Sequence, residues 1–243
     1  MQIALIADIH GNLTALDAVL EHLDRDSIHD IICLGDVAIF GPQPRETLAR
    51  IRSLGCPVIM GNTDSWALTP APHPIRNDES EGINALELWG AAQLTDADRA
   101  FIRTFQPTIQ VELTQGETLL CYHGSPRSYD DSIIATTGDE ELGEMMDDWR
   151  ATFMVGGHTH MPFVRRWQSS MVFNPGSVGL PYEILPDNAG VRNPPWAEYA
   201  VLSWDERGID IDLRRVGYDL DRLLEQVRGS EMPYAERWAG DWR

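Results

Sequence analysis

Two pairs of metal-type donors recur at one spacing. In FMVGGHTHMP, residues 153–162, His158 and His160 lie two apart, just after an apolar run and two glycines. In IALIADIHGN, near the N-terminus, Asp8 and His10 are again two apart where an apolar run ends. Residues two apart on an extended chain point to the same side, so each pair can offer two donors to one place. Three more positions repeat the placement: Asp36 after Gly35, Asn62 after Gly61, and His123 in YHG. A neighbouring glycine lets the backbone turn sharply and lets a metal or phosphate approach. Two Asp, four His and one Asn form a mixed oxygen and imidazole set. Such a set suits a borderline ion such as Mn2+, Fe or Zn2+, not a thiolate site or an all-oxygen calcium cage. Seven donors exceed the needs of one tetrahedral ion. Two ions sharing a carboxylate, about 3.5–4 Å apart, would use them and could clamp a phosphoryl group. Taken singly, each element is weak: GD and GN are usually turns, and a lone histidine is more often a core residue. Their shared placement is what carries the reading.

That placement needs a scaffold. QIALIAD, DIICLGD and CPVIMGN read as short apolar strands. Between them, LTALDAVLEHL and PRETLARIRSLG read as helices, the second with Pro44 near its start and Gly55 past its end. This β-α-β-α-β order predicts a largely parallel sheet, whose strand ends gather along one edge where ligands bind. LTPAPHPIRN reads as a loop, and residues 80–105 as helical with a break at TDAD, where Thr95 can cap a second helix. TIQVEL, ETLLCYHG, TFMVGG, FVRRWQ, MVFNPG, EYAVLSW and IDIDLRRV then read as strands, and DLDRLLEQVRG as a closing helix. The simplest account is one domain over residues 1–243, with two packed sheets and outer helices.

Composition narrows the chemistry. The formal net charge is -19, which repels a nucleic-acid backbone, and no run of Arg overrides it. The chain has no lysine, since all 19 basic residues are Arg, so P-loop and Schiff-base lysines are excluded. Cys33, Cys56 and Cys121 are odd in number and widely spaced, and read as core thiols of a reducing compartment. No apolar run approaches the ~18 residues of a membrane span. The start MQIALIAD lacks a basic n-region, so the cytoplasm is expected. The expected partner is a small phosphate ester, with no nucleic-acid polymer and no membrane; the sequence leaves homo-oligomerisation open.

The series D-x-H, G-D, G-N, H and G-H-x-H, running from Asp8 to His160, resembles the calcineurin-like metallophosphoesterase superfamily. NPGSVG, from Asn174 to Gly179, resembles its small prokaryotic phosphodiesterase branch. The resemblance implies an α/β fold, a four-layer α/β/β/α sandwich with two mixed β-sheets and flanking helices. It implies two divalent ions, with Mn2+ the first choice and Fe, Zn2+ or Ni2+ as alternatives. By position, Asp8, His10, Asp36 and His160 would hold one ion. Asp36 would bridge, and Asn62, His123 and His158 would complete the other. The implied reaction is phosphoester hydrolysis by a metal-bridging hydroxide, with Asp36, Asn62, Asp64 and His123 as the catalytic set. Asn12, Thr63 and Arg127 are the expected substrate contacts, and Asp130 or Asp131 are alternative partners for Arg127.

The sequence departs from the pattern at GNTD. Many relatives read GNH[DE], and Thr63 cannot serve as a general acid near neutral pH. Leaving groups that need little protonation are therefore expected, or a substitute donor such as His73 in PAPHPIR. The Pro-rich stretch 180–199 reads as a long loop with Tyr182, Arg192 and Trp196 available to substrate. Two other functions compete: a metal-free protein-binding scaffold on the same fold, and a nuclease. Seven competent donors argue against the first, and the acidic charge against the second.

Overall fold

The computed structural model describes residues 1–114, 116–185 and 191–242. It is a mixed α/β fold built on two mixed sheets. The first has the order β11-β10-β1-β2, with β1 (Gln2–Ile6), β2 (Ile31–Cys33), β10 (Trp196–Asp205) and β11 (Gly208–Gly217). The second has the order β3-β4-β5-β7-β6, with β3 (Ile109–Glu112), β4 (Thr118–Cys121), β5 (Phe153–Val155), β6 (Phe163–Trp167) and β7 (Ser170–Asn174). β1 and β2 pair in parallel, as do β4, β5 and β7, so five strand carboxyl ends face one edge.

The period-two alternation of strand side chains sorts the core into layers. Ile3, Leu5 and Ala7 face inward with Ile32, Leu119, Cys121, Phe153, Val155, Ala200 and Leu202, and fill the space between the sheets. Ala4 and Ile6 face outward, under α1 (Leu13–Arg25) and α2 (Pro44–Leu54). Leu120, Tyr122 and Met154 face outward on the other side, under α6 (Asp139–Met146) through Leu142, Met145 and Met146. These are the four expected layers.

Most expected elements form, and the exceptions have physical reasons. CPVIMGN contributes only single bridges, Cys33 to Val58 and Ile59 to Gln106, because Pro57 has no amide N–H for a ladder. Asn62 does not end a strand; it begins α3 (Asn62–Leu68). Residues 80–105 divide as expected into α4 (Asp78–Gln93) and α5 (Asp96–Ile102), with Thr95 accepting the Asp98 amide. The helix α6 was not expected; only three apolar residues mark its buried face. After α7 (Leu220–Gly229) a further helix, α8 (Ala235–Gly240), packs Trp238 and Trp242 with Leu223 and Val227. Within 180–199, β8 (Glu183–Ile184) and β9 (Val191–Arg192) pair, while residues 186–190 lie outside the described residues. All three cysteines are free thiols, and burial pushes the thiol of half-buried Cys56 up to about 11. No helix among the described residues is long and apolar enough to cross a membrane.

Candidate active site

The strand ends of both sheets bring the donors together. Asp8 and His10 follow β1, Asp36 follows β2, His123 follows β4, and His158 and His160 follow β5. Asn62 enters from the first position of α3. Donor atoms of Asp8, His10 and His160 lie within 4.8 Å of one another, as do those of Asp36, His123 and His158. Asp36 lies between the groups: its Oδ2 is 3.4 Å from His123 Nε2 and 3.7 Å from His10 Nε2. The Asn62 Oδ1 is 3.0 Å from both His123 Nε2 and His158 Nδ1.

Backbone carbonyls orient three of the four imidazoles. Nδ1 of His10, His123 and His160 lies 2.9, 2.7 and 2.7 Å from the carbonyls of Ile39, Leu34 and Leu180. A carbonyl only accepts, so each Nδ1 carries the proton and each Nε2 turns to the centre, the arrangement that orients metal-bound histidines. His10 Nε2 and His160 Nε2 then face each other at 3.1 Å. Two neutral lone pairs cannot hold that approach without a cation or proton. Two imidazoles on one ion, with bonds of about 2.0–2.1 Å, stand roughly 2.9–3.4 Å apart. The residues present fit a divalent ion in each group.

Without an ion, protons occupy these positions. Burial lowers the affinity of His123 for its proton, but the Asp36 carboxylate outweighs burial and holds it up to about 10. His160 is likewise raised against burial, by Asp8. Burial first, aided by His160, pushes His10 down to about 4. Each group thus keeps one protonated imidazole among neighbouring carboxylates. Asp36 is held below the ordinary carboxylate range: burial opposes this, and His123 and His10 overcome it.

Backbone strain accompanies this convergence. Asp8, His10, Asp36, His158 and His160 all have positive φ, between 49° and 69°. Left-handed backbone costs an L-residue roughly 1–2 kcal/mol, and it persists where surroundings fix it. NPGSVG is one such fixture. The Ser177 hydroxyl and the Gly179 amide donate to Asp8 O, the Val178 amide donates to Ala7 O, and Asn174 Nδ2 donates to Gly157 O. The segment staples the loop after β1 to the loop after β5. Gly35 and Gly61 form another close approach, since a Cβ on Gly35 would stand 2.6 Å from the Gly61 amide nitrogen.

Several expected contacts have other partners. Asp64 is fully buried, and its carboxylate accepts the amides of Asp36 at 2.7 Å, Val37 at 3.0 Å and Gly61 at 3.2 Å. It therefore holds the Asp36 backbone in place, so the part expected of it in catalysis would be exerted through Asp36. Burial first and the Asp36 charge second raise it to about 7. Asn12 is also fully buried; it caps α1 through the Ala15 amide and donates to Gly179 O, so its side chain anchors a loop. Thr63 is buried, with its amide on Asp36 Oδ1 at 3.0 Å, which leaves little of it for substrate. Arg127 pairs with Asp131 at 2.7 Å and donates to Glu144 O, so its guanidinium is already engaged. Tyr182 does reach the centre, its ring 6.0 Å from that of His160. Arg192 is tied to Glu183, and Trp196 to Glu198.

Asp64→Asn isolates the positioning role at constant shape. One carboxamide nitrogen would confront a backbone N–H, at a cost of about 1–3 kcal/mol. Outer-shell changes typically lower metal affinity roughly 10–100-fold. Thermal melts with chelator and Mn2+ titration are expected to show both losses; unchanged Mn2+ affinity would contradict the role.

Residues 1–204 match the calcineurin-like phosphoesterase superfamily domain. The chain belongs to that superfamily. The family is metal-dependent, and the two donor groups described above are candidate metal sites. The chain is similar to an uncharacterized protein of Methanocaldococcus jannaschii, 28% identical over 243 residues, covering 98% of this chain and 96% of that protein. It is similar to the symmetrical bis(5'-nucleosyl)-tetraphosphatase of Yersinia enterocolitica, 27% identical over 238 residues, covering 86% of this chain and 76% of that protein. In fold it is similar to a metallophosphoesterase from Sphaerobacter thermophilus, with a TM-score of 0.73, 23% identity, and coverage of 99% of this chain and 97% of that one.

Sequence reasoning missed the carbonyls of Leu34, Ile39 and Leu180 and the anchoring work of Asp64. The carbonyls belong to residues chosen for burial, so their types carry no signal. Asp64 had one: an acidic residue at the third position of a helix accepts amides at its start.

Proposed function

We propose that this chain is a dinuclear metal-dependent phosphoesterase that hydrolyses a small phosphodiester or nucleotide-type substrate, with residues 1–243 acting as one domain. Two divalent ions, Mn2+ first and Fe, Zn2+ or Ni2+ as alternatives, would supply Lewis acidity at the phosphoryl oxygens and acidify water. Asp8, His10, Asp36 and His160 would hold one ion, and Asp36, Asn62, His123 and His158 the other. The supporting observation is the His10–His160 approach at 3.1 Å, with each Nδ1 committed to a carbonyl. A metal-free scaffold has no need of that arrangement. Asp36 balances charge from both sides, while Asp64 holds its backbone amide and the Thr63 amide holds its carboxylate. His158 is the less buried donor of the second group and marks its open side. The Yersinia relative favours a nucleotide substrate, and the net charge of -19 disfavours a polymer. Free thiols agree with a cytoplasmic setting.

Metal-stripped protein is expected to cleave bis(p-nitrophenyl) phosphate only after Mn2+ is restored and to stop with chelator, and Mn2+-loaded, desalted protein is expected to retain two ions per chain by elemental analysis. Loading at pH 8 in weak buffer is expected to release about one proton or more per chain, because coordination needs neutral imidazole and His123 otherwise keeps its proton to about 10. Fewer than one bound ion, with no ion-dependent turnover, would sink the reading.

A further inference from the structure

The segment between α3 and α4 holds a second constellation that the metal groups do not use. His73 lies between Pro72 and Pro74, in a stretch that reads as an ordinary exposed loop. Its backbone is nevertheless clamped at both ends. Asn84 of α4, itself buried, accepts the His73 amide at 2.8 Å and donates to the His73 carbonyl at 2.6 Å. The imidazole lies flat on Trp66, with ring centroids 5.9 Å apart and planes inclined by 22°. Trp66 is fixed in turn by its Nε1, which donates to Ala71 O at 3.1 Å. Glu87 Oε2 stands 3.4 Å from His73 Nε2. The backbone is held by Asn84 and the ring lies between Trp66 and Glu87, yet 54% of the side chain is exposed. Trp66 lies alongside the imidazole in an offset, near-parallel stack that leaves more than half of the His73 side chain open to a further ring.

The stack rises beside the metal groups. Asn62 and Trp66 are four residues apart on α3, so they share a face one turn apart. Glu87 closes the platform on the α4 side. It is buried, and its Oε2 has no hydrogen-bond partner, the His73 nitrogen being near without hydrogen-bond geometry. Burial raises its pKa, His73 opposes this, and the Asp36 charge adds to the rise, so Glu87 lies within electrostatic reach of the centre. A rigid aromatic stack left partly open binds a further ring at low entropic cost. A carboxylate beside it disfavours a second phosphate at the stack.

We propose that the Trp66–His73 stack is a binding platform for a nucleobase linked through its sugar to the scissile phosphate. One helix turn plus one stacking layer separates the platform from Asn62, which suits a ring carried on a sugar better than a ring bonded directly to the phosphate oxygen. The proposal rests on the phosphoesterase reading and names the substrate class of that site.

The test compares adenosine 5'-monophosphate with ribose 5-phosphate, which lacks the base, on Mn2+-loaded protein by calorimetry. Wild type is expected to bind the nucleotide about ten-fold tighter, near the lower part of the range for stacking one base. His73→Ala and Trp66→Leu are each expected to erase most of that difference, with ribose 5-phosphate held within about two-fold. Against an adenine dinucleotide, His73→Ala is expected to raise KM with kcat retained. Equal binding of the two ligands by wild type, or an undiminished preference in His73→Ala, would overturn the platform. So would a fall in kcat at unchanged KM, which would make His73 a proton donor instead. Adenosine binding to metal-free protein, followed by ligand-observed NMR, separates the two claims. It needs no hydrolysis, is expected in wild type and is expected to be lost in His73→Ala. Its absence in wild type, alongside normal Mn2+-dependent cleavage of bis(p-nitrophenyl) phosphate, overturns the platform and leaves the phosphoesterase reading standing.

Discussion

Asp36→Asn is expected to remove at least one ion per chain and to lower kcat/KM by about a thousand-fold or more. Loss of a partner that merely orients a ligand already costs roughly 10–100-fold, and Asp36 is placed to serve both groups at once. Its Oδ2 faces His123 and His10, while Oδ1 accepts the Thr63 amide. A carboxamide keeps the shape and loses the charge. The metal-free protein should report the same loss through pH. The Asp36 carboxyl is depressed from 3.8, so its stabilising contribution appears above about pH 4 and is lost as pH falls. His123 is raised from 6.5 to about 10, so its contribution is complete below 6.5 and is lost as pH rises through about 10. In chelator, the Tm gap between wild type and Asp36→Asn is therefore expected to be widest near neutrality and to narrow toward pH 10. Asn62→Ala, which removes one neutral donor from one group, should cost less. An Asp36→Asn protein with two ions and near-normal turnover would refute the bridging role.

The donors were legible because coordination chemistry restricts residue type, and short apolar runs placed each one near a strand end. The backbone that presents them was not. The two-residue spacing puts Asp8 and His10 on one side of an extended chain, and they do meet in one group. They reach it through left-handed backbone at both positions. His158 and His160 share the spacing and the left-handed φ, yet they serve different groups. Spacing alone could not separate these outcomes. The difference comes from tertiary contacts: the Leu180 carbonyl turns His160 toward Asp8, and Asn62 lies beside His158. Asn12 misled for a related reason. A polar residue in a ligand loop looks available to substrate, but an unpaired helix start competes for the same side chain, and here it wins. Thr63 stands where many relatives have a histidine. Its burial, and the commitment of Asp64 to three amides, leave no carboxylate to orient an imidazole placed there.

The glycines in GD and GN carry a further consequence. Gly61→Ala is expected to destabilise the protein at or beyond the upper end of the ~1–3 kcal/mol typical of an overpacked core. The added Cβ would collide with the Asp36 carboxylate and with the Asp36 backbone nitrogen. Neither can yield easily. The Asp36 amide is tied to Asp64, and its carboxylate is tied to the Thr63 amide and faces His123. Gly61 has an ordinary φ of -87°, so alanine has no intrinsic backbone objection there, and the cost must come from the collision. Gly55→Ala supplies the opposite case. Gly55 has a left-handed φ of 63° past the end of α2, and nothing lies within 4 Å of its added Cβ. That change should cost only the left-handed penalty, about 1 kcal/mol, and leave Mn2+ binding intact. Denaturant unfolding with chelator and Mn2+ titration on both variants separate the two effects. Gly61→Ala is expected to lose metal affinity along with stability, because the same methyl displaces the shared carboxylate. If Gly61→Ala bound Mn2+ as tightly as Gly55→Ala, the close approach of these two backbone segments would not be what positions Asp36.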